Sequence, residues 1–253
     1  MTVTEQTWEK YLTRLRRLND RAAALVVRYL AEHPIETYDD RQALIVFANA
    51  VVQKYGTGSA ALAAQMYDAI VDLSDVNFPP AVPADVPAIA EVAKAVNGTL
   101  KTGNFEVVGG AVGRLVKMAG VDTTLNNAIR DGAQFAWVPH GDTCAFCIAL
   151  ASRGWQRASR DALKGGHAEH VHSNCDCTYA IRFSPKDEYL FYRPERYMKM
   201  YDNADGGNST DKINAMRRQN YAKNREKILR QKADAYQKRK ELNAPAAEEI
   251  NVN

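Results

Sequence analysis

"DTCAFCIALASRG", residues 142–154, places Cys144 and Cys147 three apart at the head of a helix-like run. The chain has four cysteines and five histidines in 253 residues, and all four cysteines and four of the histidines fall between His140 and Cys177. The hydrophobic pattern changes around this cluster. It is helical up to Gln134, whereas "FAWVPH" (135–140), "GWQRAS" (154–159) and "CTYAIRF" (177–183) are short aromatic and β-branched runs that predict strands. The cluster therefore belongs to a small α+β module that follows a helical region.

Toward the N-terminus, Tyr11, Leu15, Leu18, Ala22, Leu25 and Tyr29 recur at spacings of four and three, with Val26 and Leu30 widening the stripe. This predicts an amphipathic helix that stops before His33-Pro34, because a residue preceding proline is pushed out of the helical region. Asp39 or Asp40 then caps a second helix through Tyr55, with Leu44, Phe47, Val51 and Tyr55 inward, and "YGTGS" (55–59) breaks it. A third is expected from Ala60 to Leu73, with Leu62, Met66 and Ile70 inward. "FPPAVPADVP" (78–87) holds too many prolines for an interior element and reads as a linker or a surface-hugging connection. Helical character returns in "AIAEVAKAVNGTL", in "NFEVVGGAVGRLVKMAG", ending at Gly120 as a C-terminal cap, and in "VDTTLNNAIRDGAQ".

These readings predict an α+β, mostly helical fold. A helical N-terminal region covers 1–77, a proline-rich linker 78–87, and a helical region 88–134 leads into a Cys/His-clamped α+β module with short antiparallel strands at 135–183. An aromatic segment and basic helical tail follow over 184–253. The hydrophobic content of 46% and charge of 25% are ordinary for a soluble protein, and the chain is long enough that size alone forces neither a metal nor a disulfide staple. Apolar runs such as "ALIVFANAVV" (43–52) fall short of the roughly 18 residues of a membrane span. "MTVTEQTWEK" lacks the basic and apolar regions of a secretory signal. Folding in a reducing cytoplasm is expected, where clustered cysteines point to metal or catalysis before disulfides.

A tetrahedral zinc site takes four thiolate or imidazole donors, and a C-x-x-C turn supplies two of them to one ion. Cys175 follows Cys147 after 27 intervening residues, and "HVHSNCDC" (170–177) offers the other half, either His172 with Cys175 or Cys175 with Cys177. Cys144, Cys147, His172, Cys175 and Cys177 are thus the candidate ligands of a structural zinc ion. Two disulfides, or cysteines acting as small buried hydrophobes, are the alternatives. His140, followed by Gly-Asp, reads as structural. A deaminase site needs H-x-E ahead of P-C-x-x-C. Here "HAE" (167–169) comes after the C-x-x-C, and no proline precedes Cys144. No catalytic residue is assigned and no small-molecule substrate is expected. An HNH-like metal-dependent nuclease, whose paired histidine and asparagine are imitated by "HVHSN", and a zinc-stabilised DNA-binding protein are the competing readings.

The net charge of +3 is unevenly spread. A helix expected over 211–242 carries Arg217, Arg218, Lys223, Arg225, Lys227, Arg230, Lys232, Lys238, Arg239 and Lys240. Such a run is either a solvated face or a contact to nucleic-acid phosphates, which would be sequence-independent and salt-sensitive. Its apolar positions are sparse, so packing on a partner or nucleic acid is expected to support it.

"NAIRDGAQFAWVPHGDTCAFCIALASRGW" (127–155) followed by "HVHSNCDCTY" (170–179) resembles the minor head proteins of tailed bacteriophages, the Mu F-like head morphogenesis group and related phage minor structural proteins. The shared pattern is Asp-x-Cys-x-x-Cys leading into "LASRG", a loop, and H-x-x-C-x-C ahead of a strand. It falls here on Asp142, Cys144, Cys147, Gly154, His172, Cys175 and Cys177. The resemblance implies a non-enzymatic virion component made in the host bacterial cytoplasm and housed inside the head near the portal. It would act in head morphogenesis or in genome packaging and ejection, with the portal or major capsid protein and packaged double-stranded DNA as expected partners, and no membrane. Some members of the group carry toxin or enzyme domains at the C-terminus, whereas here only the basic tail follows Phe183.

Overall fold

Thr4 opens the first helix. Its Oγ1 accepts a hydrogen bond from the Thr7 N–H at 3.3 Å and caps α1, Glu5–Glu32, which stops at His33 ahead of Pro34. In the computed structural model, which describes residues 2–140, 143–163 and 177–242, α1 buries Trp8, Tyr11, Leu12, Leu15, Ala22, Val26 and Leu30. Tyr11, Leu15, Ala22, Val26 and Leu30 are as expected, Trp8 and Leu12 extend the stripe at its start, and Leu18, Leu25 and Tyr29 are only half-buried.

The next two expected helices are one. α2 runs unbroken from Tyr38 to Leu73, and its cap is Thr37, whose Oγ1 accepts from the Asp40 N–H at 3.1 Å while the Asp40 carboxylate accepts from the Thr37 N–H at 2.8 Å. The "YGTGS" stretch does not break it, because Gly56 is used for close approach rather than for a turn. A Cβ there would stand 2.7 Å from Val86 Cγ1. Ser59, Ala60, Ala63 and Ala64 continue the buried face of small residues. A glycine inside a helix costs about 1 kcal/mol against alanine, which the packing of so long an element outweighs.

Gly120 shows the same physics. α3 spans Ile89–Leu100, and α4 spans Phe105–Arg130 without ending at Gly120. A Cβ at Gly120 would lie 2.7 Å from Ser59 Oγ and 3.2 Å from its carbonyl oxygen, so the glycine marks the crossing of α4 with α2. Gly109, one of the preceding glycines of α4, lies against α1, where a Cβ would be 2.8 Å from the Ala23 carbonyl oxygen. α4 is the helix that α1, α2 and α3 all pack around. Val26, Leu30, Leu44, Val52, Val92, Val112 and Val116 fill the core between them.

The proline-rich segment between α2 and α3 lies along this bundle and is fastened to it. Asn127 acts as a surrogate strand, its Oδ1 accepting from the Val82 N–H and its Nδ2 donating to the Val82 carbonyl, both at 2.9 Å. The Ala81 N–H donates to Asp68 Oδ1 at 2.7 Å and the Ala84 N–H to Thr123 Oγ1 at 2.9 Å, while Arg130 donates to the Pro79 and Pro80 carbonyls. Backbone groups that proline-rich chain cannot satisfy in a sheet or helix are satisfied by side chains of α2 and α4.

Beyond α4 the chain enters a three-stranded antiparallel sheet. β2, Gln134–Val138, lies between β3, Gln156–Arg157, and β4, Thr178–Arg182. The pairing aligns Gln134 with Arg182 and Val138 with Thr178. A second pairing joins the two ends of this part of the chain, with β1, Thr2–Val3, running parallel to β5, Glu188–Tyr189. Trp8 packs on Tyr189 and Phe191 with ring centroids 5.7 and 5.5 Å away, which gives the aromatic run after Phe183 its role. Short helices α5, Ala145–Ala151, α6, Arg160–Leu163, and α7, Pro194–Asp202, complete the unit formed by residues Met1–Asn203. Residues from Ala204 form a second unit built on α8, Ser209–Leu242. The protein is thus mostly helical with small sheets, as expected. Among the described residues no helix is long and apolar enough to cross a membrane.

Candidate functional site

The register of the sheet explains how distant cysteines meet. β2 leaves the sheet at Val138, opposite Thr178, and Cys177 immediately precedes Thr178. From the same end of the sheet the chain passes through Pro139 and His140 to the N-terminus of α5. Cys144 is the cap there, extended at φ −72° and ψ 156°, and its Sγ accepts from the Cys147 N–H at 3.4 Å. Cys147 lies on the buried side of α5, and together Cys147 and Cys177 form one buried cluster with Cys144 and Met118 packed against it. Three of the five candidate ligands therefore come together from two elements.

His172 and Cys175 lie outside the described residues, as do His167 and His170 and the Gly141-Asp142 pair. Among the described residues no group of three or more His, Cys, Asp or Glu side chains is arranged to hold a metal ion. His140 is placed as a structural residue, its Nδ1 3.3 Å from a carboxylate oxygen of Glu9 on α1.

Residues that spacing could not reveal surround the cluster. Met118 comes from α4, and its thioether is a soft filler for a sulfur-lined gap. Tyr197 comes from α7, which packs on α5; burial raises its phenol above the ordinary value, with Cys177 adding to the effect. The Tyr192 hydroxyl donates at 2.9 Å to the Ala151 carbonyl, which also accepts from the Gly154 N–H, and so fastens the end of α5. Gly154 then turns the chain toward β3 at φ +65°, a conformation that favours glycine. On the opposite edge the Arg182 guanidinium sits 4.6 Å over the Trp155 ring and donates to Gln134 Oε1 at 2.7 Å. The only sequence signal for these partners is the density of aromatic residues between Phe183 and Tyr201.

A groove of about 610 Å³ opens between α3 and α4. Its walls include Glu91, Lys94, Gly98, Arg114 and Asp122. Burial raises the Asp122 carboxyl to about 6, and the charge of Glu91 adds to the shift. No motif announces this acid, which is set apart only by its place between two helices.

The basic residues all fall on α8. Asn208 starts it, its Oδ1 accepting from the Asp211 N–H at 3.0 Å. Arg217, Arg218, Lys223, Arg225, Lys227, Arg230 and Lys232 are exposed, and the helix backbone continues through Lys238, Arg239 and Lys240. At Asn224 the backbone leaves helical values (φ −111°, ψ 15°), and the Asn224 side-chain amide donates to both the carbonyl and Oδ1 of Asn220, at 3.1 and 2.6 Å. A side chain inserted into the helical ladder is an ordinary cause of such a kink.

A family model described as VG15 protein matches residues 2–204, which takes in the whole helical bundle, the sheet and α7 but stops before α8. No curated protein and no solved structure matches the chain.

Proposed function

The chain belongs to the VG15 protein family, a viral family of phage proteins, and from that premise we propose that it is a minor head protein of a tailed bacteriophage. In this reading it sits inside the head near the portal and acts in head morphogenesis or in genome packaging and ejection. The observation that carries the reading beyond the family is the meeting of Cys144, Cys147 and Cys177 at one end of the sheet, on the residues of the Asp-x-Cys-x-x-Cys and H-x-x-C-x-C pattern. The role is mechanical. The cysteines join α5 to the start of β4, and α5 in turn carries α7.

A zinc ion held by a set drawn from Cys144, Cys147, His172, Cys175 and Cys177 would lock that joint. Zinc supplies no redox chemistry there, only bonds that hold deprotonated thiols together. The chain's own residues keep water out through Met118 and the buried faces of α5, and place Cys144 Sγ beside the first backbone N–H groups of α5.

The test combines metal content and thiol titration of protein purified without added metal with incorporation of Cys144→Ser and Cys147→Ser chains into particles. About one zinc per chain, lost in the variants together with incorporation, supports the clamp and the head role. Normal incorporation of both variants removes the clamp from the reading. Cleavage of DNA that depends on a divalent metal and is lost on His172→Ala would replace the structural reading by a nuclease.

A further inference from the structure

The outward side of α1 is a line of cations. A helix advances about 100° per residue, so Lys10, Arg14, Arg17 and Arg21 fall within about 60° of one another, on the side of the helix away from the buried Trp8, Leu15, Ala22 and Val26. All four are exposed, and among the described residues none has a hydrogen-bond or ion-pair partner. From Lys10 to Arg21 the chain holds five cations, Arg16 being the one off the line, against a single acid, Asp20. Asp20 stands at the edge of the line, about 80° round from Lys10. Glu9 is turned to His140 at 3.3 Å, and beyond the line Glu32 pairs with Arg28 at 3.5 Å. The helices beneath bring no acid to this part of α1. Leu18 meets Gly58 of α2, and Asn19 and Ala23 meet Gly113 and Gly109 of α4. Between Asp40 and Asp68 α2 carries Arg41 and Lys54 and no acid, and between Glu106 and Asp122 α4 carries Arg114 and Lys117 and no acid.

We propose that Lys10, Arg14, Arg17 and Arg21 form a binding site for the phosphate backbone of double-stranded DNA. The site lies on the helical bundle, apart from the basic tail, and does not depend on the head-protein reading. From Lys10 to Arg21 the line is about 17 Å long, the rise of about five base pairs. Three of its four members are arginines, whose planar forks meet phosphate oxygens two at a time. The other exposed residues of α1 select among polyanions. Alanine is the largest apolar side chain exposed on this helix. A protein partner would therefore find no apolar centre, which is the part of an interface from which charged residues are depleted. An anionic bilayer takes up an apolar helix face, and that face of α1 is spent on the core. Single strands bind by stacking on aromatic rings, and α1 exposes none. Duplex DNA needs none of these, because phosphate contact and counterion release supply the affinity. No base preference follows.

The experiment uses the full chain and a readout local to α1, so that binding through the tail cannot mask it. Phenylglyoxal modifies accessible arginines, and peptide mass spectrometry gives the rate at each one with and without a duplex of about 20 base pairs, long enough to cover the line. At 50 mM salt the duplex should slow modification of Arg14, Arg17 and Arg21 at least ten-fold and that of Arg16 less than two-fold. With four phosphate contacts, the DNA concentration giving half-protection should rise on the order of 150-fold at 200 mM salt. Lys10→Gln with Arg21→Gln should raise the half-protection concentration for Arg14 and Arg17 at least ten-fold, whereas Arg16→Gln should change it less than two-fold, circular dichroism showing the helix kept in both. Arg14, Arg17 and Arg21 reacting as fast with DNA as without it overturns the proposal. So does protection of Arg16 equal to that of Arg17. Equal protection by polyglutamate at matched charge would assign the line to an acidic protein, and tighter binding of a single strand or of duplex RNA would assign it to those; each also overturns it.

Discussion

Two glycine-to-alanine substitutions, chemically identical, should move stability in opposite directions. Gly98 is exposed in the last turn of α3, and a Cβ there meets nothing within 4 Å. Alanine at that position gains helix propensity alone, up to about 1 kcal/mol. Gly109 faces α1, and its Cβ would lie 2.8 Å from the Ala23 carbonyl oxygen and 2.7 Å from Val27 Cγ2. The valine methyl can rotate away, but the carbonyl belongs to helix backbone, so α1 and α4 must separate by several tenths of an ångström. Overpacking of this kind costs about 1–3 kcal/mol. The propensity gain is common to both substitutions, so the difference between them isolates that clash. Urea unfolding of the three proteins measures it directly, with an unchanged slope confirming that only stability has moved. In thermal unfolding the two variants should be separated by roughly 2–4 °C per kcal/mol, with Gly98→Ala above the parent and Gly109→Ala at or below it. Gly109→Ala as stabilising as Gly98→Ala would refute the close approach of α1 and α4.

Three further outcomes are expected. Thr37→Ala removes the cap of α2 and should cost about 1 kcal/mol; because hydrogen bonds from Thr37 and Glu36 hold the Asp40 carboxyl below its ordinary value, the contribution of this cap is present above the unfolded carboxylate pKa and is lost as acidification passes through the folded one, which unfolding across pH will show. Asn127→Leu leaves the N–H and C=O of Val82 without their side-chain partner, so it should destabilise by about 2–3 kcal/mol or more in denaturant and raise protease sensitivity between Phe78 and Pro87. Asp122 has the opposite sign to Asp40. With its carboxyl raised to about 6, the folded state holds the proton more tightly, so stability falls as pH rises from about 4 to about 6 and is level above. Asp122→Asn should remove that slope and stabilise the protein at pH 7 by up to about 3 kcal/mol, read from urea titrations at pH 4.5 and 7.

Local patterns carried much of the architecture. The stripe from Tyr11 to Leu30, the stop at Pro34, and the three aromatic runs that became the sheet are all short-range signals. The misreadings share one cause. Gly56, Gly58 and Gly120 look like punctuation when each is weighed by its own conformational preference. Gly56 and Gly120 stand inside helices because Val86 and Ser59, brought close only by the tertiary fold, occupy the space a side chain would need, whereas Gly58 meets only Leu18 at ordinary contact distance and is carried by the helix around it. The expected inward face of α2 was right in part. Leu44, Val51 and Ile70 are buried as expected, but Ala63, Ala64 and Tyr67 are buried where Leu62 and Met66 are only partly so, because the face is set by the neighbouring helices and not by the size of the side chain. For the cysteine cluster, chain spacing was sufficient to suggest that Cys144, Cys147 and Cys177 meet. Met118 and Tyr197 are separated from it along the chain, and nothing in their neighbourhoods distinguishes them from ordinary core residues. Asp122 was invisible for the same reason, since its titration depends first on burial and then on the carboxylate of Glu91 on another helix.

The pairing of Thr2 and Val3 with Glu188 and Tyr189 sets an order of events during synthesis. Val3 and Trp8 are among the most deeply buried side chains, yet the strand and rings that cover them are encoded some 180 residues later. At about 5–20 residues per second the ribosome needs on the order of ten seconds or more to supply that cover. Meanwhile α1, α2 and α4 can pair through neighbouring contacts, but the first turns of α1 remain a bare apolar end. The stitch therefore closes late, with only α7 of the bundle-and-sheet unit still to come, and a chain truncated before Glu188 would carry exposed, aggregation-prone first turns of α1 on an otherwise assembled helical core.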